Sequence, residues 1–172
     1  MRTKLLMLLV LCLPVNLQAV GLMDNGYDDV AGLFEYCCGI KSPGVRYTYV
    51  SKLMMKKVSA LPMNEYDLSP IIDKIDFLKS VYAATGFEGA KECALKIEAL
   101  PKAVKENGFE CAISINKDGH HTNMYVKRGE GGLNSVLMTI VAYNADGKIE
   151  LAVAALIGGV FSLDEILALM KF

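Results

Sequence analysis

The sequence predicts an α+β domain whose mostly antiparallel sheet of about six strands carries helices chiefly on one face. Three observations predict it. Between residues 109 and 160 four runs rich in alternating or continuous apolar residues follow one another with glycine-containing turns between them. Two of those turns use one chemistry, Asn116-Lys117-Asp118-Gly119 and Asn144-Ala145-Asp146-Gly147, which implies hairpins and an antiparallel meander, not a βαβ array. The runs before residue 109 alternate between helical and strand periodicity, and the chain closes on a capped helix.

Taken in order, Arg2 and Lys4 precede an apolar run from Leu5 to Val15 and a polar stretch ending Leu17-Gln18-Ala19, the pattern of a secretory signal peptide over 1–19. Export to the periplasm or cell envelope follows, with a single domain over 20–172. Cleavage there removes two cations and no anion, so the formal charge moves from −1 to −3. A mildly acidic chain with scattered Lys and Arg has no electrostatic footprint for nucleic acid. No later stretch is long and helical enough to form a transmembrane helix.

Asp28 or Asp29 caps a helix in which Val30, Leu33, Phe34 and Cys37 recur at helical spacing. Val45 to Val50 is a strand, with Val45, Tyr47 and Tyr49 on one face. Ser51 caps a helix carrying Met54, Met55 and Val58 as core filler. Ser69-Pro70 begins another, with Ile71, Ile72 and Ile75 as its buried side. Phe77 to Ala83 is a second strand. Thr85-Gly86-Phe87-Glu88 has the form of a capping box ahead of Ala90, Cys93, Ala94 and Ile97, and Pro101 is expected to kink or split that helix before Asn107-Gly108 closes it.

The meander then runs Phe109 to Asn116, His121 to Arg128, Leu133 to Asn144 and Lys148 to Val160. Phe109, Cys111, Ile113 and Ile115 form the apolar side of its first strand. The third is apolar on both faces and therefore central. In the fourth, Ile149, Leu151, Val153 and Ile157 fill one side, while Ala152 and Ala154 leave the other small, a candidate for an open face. Ser162 and Glu165 form a capping box for the last helix, with Phe161 and Ile166 as a hydrophobic staple.

Catalysis by proton transfer or nucleophilic attack needs a base beside an activated group. The only histidines are His120 and His121, adjacent at a hairpin tip where their side chains diverge. Gly129-Glu130-Gly131-Gly132 leads into a strand and so lacks the helix N-terminus a phosphate loop needs. Cys37, Cys38, Cys93 and Cys111 read as free thiols, those at 93 and 111 on apolar faces, with a bridge between the Cys37-Cys38 pair and Cys93 or Cys111 as the alternative. The sequence predicts no cofactor, no metal site and no catalytic residue. If Ile113, Met124, Val126, Leu151 and Val153 point to the helices, then His121, Asn123, Tyr125, Ser114, Ala152 and Ala154 share the opposite face, where a ligand, a protein partner or a second copy in a homodimer would bind. The reading is a non-catalytic binding or interaction module. The alternatives are an envelope hydrolase or redox enzyme and a structural, self-associating envelope protein.

Several runs have a familiar order. Gly44-Val45-Arg46-Tyr47-Thr48-Tyr49-Val50-Ser51-Lys52, the strands Val136 to Tyr143 and Ile149 to Ile157, and the ending Gly158 to Ile166 together resemble the domain of unknown function 4252 family. Gly159-Val160-Phe161 departs from that family's usual entry into the last helix. The resemblance implies a secreted protein of the Bacteroidetes group and an α+β fold; the family has no established activity, so it implies no functional residues.

Overall fold

A computed structural model describes residues 28–59 and 72–168. In chain order the elements are α1 (Asp28–Gly39), β1 (Val45–Ser51), α2 (Lys52–Ser59), β2 (Ile75–Ala84), α3 (Glu88–Ala103), β3 (Glu110–Lys117), β4 (His120–Gly129), β5 (Gly132–Tyr143), β6 (Ile149–Phe161) and α4 (Leu163–Ala168). The six strands form one sheet in the order β1-β2-β6-β5-β4-β3, antiparallel at every pairing. The α+β class and the meander over the last four strands are as expected. The expected leader over 1–19 and the helix start at Ser69-Pro70 lie outside the described residues.

The meander lays β3, β4, β5 and β6 side by side, and α3 carries the chain from β2 to the far edge at β3. Two apolar layers result. On one face α1 and α3 bury Val30, Leu33, Phe34, Ala90, Ala94 and Ile97 against Val81, Leu137, Val141, Ala152, Ala154 and Leu156 of the sheet. On the other, Met55 of α2, Ile72 and Ile166 of α4 pack with Leu78, Met124, Val136, Met138 and Ile157. Both long helices lie on the first face, and β5 and β6 are buried on both sides, as central strands are.

The local signals hold unevenly. At α4 the capping box forms as written: the Ser162 N–H donates to Glu165 Oε2 at 2.9 Å and the Glu165 N–H to Ser162 Oγ at 3.3 Å, with Phe161 and Ile166 buried in one layer. At α3 it does not. The helix starts after Phe87, with no side-chain cap, because Gly86 at φ 107° turns Thr85 away from the helix. The Thr85 hydroxyl and N–H instead point to the Glu150 carbonyl of β6. Pro101 sits in the last turn of an unbroken α3. Ile75, expected on a helix, begins β2 opposite Gly159.

The two matching turns also differ. Asn144 behaves as predicted, its Oδ1 accepting from the N–H groups of Asp146 and Lys148 at 3.0 and 2.9 Å. In the other turn both Asp118 and Gly119 have positive φ, 52° and 74°, and Lys117 pairs directly with His120. That is a two-residue turn of type I′, tighter than expected.

Candidate functional site

The pairing registers order the expected site residues into rows across the sheet. One row runs Asn116, His121, Val141, Ala152, Ala83. The next runs Ser114, Asn123, Thr139, Ala154, Val81. His121, Asn123, Tyr125, Ser114, Ala152 and Ala154 therefore do share one face, but it is the face that α1 and α3 cover. Ala152 and Ala154 are fully buried and Tyr125 is 4% exposed. The small side chains that suggested an open surface are small because the helix lies close: Ala83, Ala152 and Ala154 meet Ala90, Cys93 and Ala94 in one layer.

What stays accessible is the far end of those rows, the β3–β4 hairpin. There the Ser114 hydroxyl donates to Asn123 Oδ1 at 2.8 Å. His121, half-buried, tilts against the Tyr143 ring with centroids 5.2 Å apart. The Tyr143 hydroxyl donates to Glu98 of α3. Burial, and then the bond to Glu98, push the Tyr143 phenol up to about 12. Sequence reasoning missed Tyr143 and Glu98 because their meeting depends on where α3 crosses the sheet, and no local spacing signals that.

A bulge at Ala112 reshapes β3. Cys111 pairs with Tyr125 and Ile113 with Met124, one step on, so the strand changes face between them. Cys111, expected on the apolar side with Ile113, lies on the same face as Ser114 and is exposed. Ile113 packs against the second apolar layer. Beside it a groove of about 570 Å³ runs between the hairpin and the start of α4, its wall including Ile113, Val126, Leu133 and Phe161 and its rim Glu110, Arg128 and Ser162. Arg128 Nε stands 3.5 Å from Glu110 Oε2, both well exposed, which makes the pair a weak one.

Among the described residues no group of three or more His, Cys, Asp or Glu stands close enough to hold a metal ion. Of the described cysteines, Cys38 and Cys111 are exposed while Cys37 and Cys93 are buried. Among the described residues no helix is long and apolar enough to cross a membrane.

No family model matches the chain, so the resemblance to the domain of unknown function 4252 family stands on the quoted residues alone. No solved structure matches it. Among curated proteins it is similar to a segment of the ovochymase of Halocynthia roretzi, 28% identical over a 116-residue alignment that covers 59% of this chain and 7% of that protein. The chain thus spans a small fraction of the relative it matches.

Proposed function

We propose that this chain is an exported, non-catalytic interaction module that presents the β3–β4 hairpin to an extended polypeptide segment. Export rests on the N-terminal pattern of Arg2, Lys4 and the apolar run that follows. The observation that carries the interaction reading is β3 itself, an edge strand exposed along its length except at the half-buried Ile113. It combines an outward-facing backbone with the adjoining apolar groove. Strand addition uses this combination: main-chain hydrogen bonds supply affinity, and side-chain pockets supply selectivity. The scarcity of histidine supports a role without catalysis.

The test is selection of linear peptides from a displayed random library, followed by amide chemical-shift mapping. Binding that perturbs residues 110–117 and is lost on Ser114→Pro, with the fold intact by circular dichroism, is the expected result. Peptides that map elsewhere, or that bind the proline variant equally well, would remove the hairpin from consideration.

A further inference from the structure

Resting on that reading of the hairpin, we propose that the segment β3 takes is β3 of a second copy of this chain. The two strands pair antiparallel about a twofold axis at Ser114 and join two six-stranded sheets into one of twelve. The register follows from three constraints.

The first is direction of the backbone groups. In a two-residue hairpin the residues flanking the turn, here Lys117 and His120, exchange hydrogen bonds, and bonded residues then alternate along the strand. Lys117, Ile115 and Ile113 bond inward to β4. The N–H and C=O of Ser114 and Asn116 point outward, so an axis at Ser114 lets the two copies of that residue exchange both bonds.

The second is side-chain face. A twofold axis perpendicular to the sheet keeps each face on its own side, so residues opposite each other must share a face. Because of the bulge at Ala112, Cys111, Ser114 and Asn116 lie on the face of the long helices, while Glu110, Ile113, Ile115 and Lys117 lie on the other. Centred on Ser114, Ile113 falls opposite Ile115, the Cys111-Ala112 step opposite Asn116, and Glu110 opposite Lys117. Every pair shares a face. A regular strand without the bulge would set Glu110 beyond the reach of Lys117.

The third is charge and apolarity. The register makes one Ile–Ile pair, which covers the 49% exposed Ile115, and one Glu–Lys pair, each repeated by the symmetry. Moving the axis to Ile115 puts Lys117 opposite Ile113 and leaves Glu110 with no partner across the seam, only its weak pair with Arg128 in its own chain. Exposed edges are usually guarded against self-pairing; this one is self-complementary in a single register.

Sedimentation velocity on the purified protein tests the pairing. The native chain is expected to dimerise, and Lys117→Glu, at the turn and exposed, to weaken the dimer roughly tenfold by opposing like charges twice. Combining Lys117→Glu with Glu110→Lys should restore it. A Ser114→Cys variant with Cys38 and Cys111 changed to Ser should cross-link through position 114 of both copies, since opposed Cα atoms in a ladder lie within disulfide reach. A monomer at every concentration overturns the proposal, as does a dimer indifferent to the charge swap that gives no such cross-link. A monomer that still binds selected peptides through 110–117 overturns the dimer and leaves the interaction reading standing.

Discussion

Cys37 on α1 and Cys93 on α3 are buried together in the layer between those helices and the sheet. The Cys93 thiol beside it, and then burial, hold the Cys37 proton far above the usual thiol range. A thiol alkylates only as its thiolate and only when reached. Brief iodoacetamide treatment of the native protein should therefore label Cys38 and Cys111, both exposed, and leave Cys37 and Cys93 unmodified until denaturant is added. Peptide mass mapping reads this directly, and prompt native labelling of Cys93 would contradict the packing of α1 on α3.

The small-residue stripe makes a second prediction. Ala154 is fully buried, packed in one layer with Ala90 and Ala94. Ala154→Leu must push α3 off the sheet, and overpacking of this kind costs about 1–3 kcal/mol. Ser114→Leu, in the same row but at the exposed edge, should change stability little. Urea midpoints of the two variants compare them; equal midpoints would mean that α3 does not seat where described.

The same stripe shows why some of the molecule was legible in sequence and some was not. Periodicity and turn chemistry are local, so the strands, the meander and the Ser162–Glu165 box could be read from neighbours in the chain. Which face of Ala152 and Ala154 a helix covers is decided by the path of α3 from β2 to β3, over a sheet order that no local pattern encodes. A small residue fits either an open surface or a close approach. Cys111 and Ile113 were assigned to one side because alternation was assumed unbroken, and a one-residue bulge is enough to part them. Gly86 likewise undid a capping box whose four letters were all in place.

At the C-terminal end, Glu165 accepts from Lys74 and from the N–H of Ser162, and these bonds, the one to Lys74 first, bring its carboxyl down to about 2. An unfolded glutamate titrates near 4.3. Between those values the unfolded chain binds more protons than the folded one, so stability falls as the pH drops through this window and the contribution is full above it. Glu165→Gln should flatten the acid limb of a stability–pH curve between about pH 5 and 2. Salt should have a parallel effect, because the pair is partly exposed. An unchanged acid limb in the variant would show that the bonds do not persist in solution.

Ser80 lies 1% exposed on β2, opposite Ala155, and among the described residues its hydroxyl has no hydrogen-bond partner. A buried hydroxyl without a partner carries its desolvation cost uncompensated. Ser80→Ala should therefore be neutral or stabilising by up to about 1 kcal/mol, the reverse of the usual cost of truncating a core residue. A fall in the thermal midpoint would mean that the hydroxyl is bonded in solution.

The hairpin that presents β3 depends on its turn. Asp118 holds φ at 52°, a conformation that asparagine and aspartate tolerate and β-branched residues resist. Asp118→Val should cost roughly 1–2 kcal/mol, whereas Asp118→Asn should cost nothing. The loss should also be localised. Among the described residues β3 makes its only ladder with β4, whereas β5 lies between two partners and is buried on both faces, so β3 can open without the rest of the sheet. Amide hydrogen exchange in Asp118→Val should accelerate at Ile113, Ile115 and Lys117, which bond to β4, and leave Leu137 and Val141 of β5 protected. If all these amides accelerate together, the hairpin is part of one cooperative unit with the central sheet. In that case the edge strand is held by the whole fold, not by its turn.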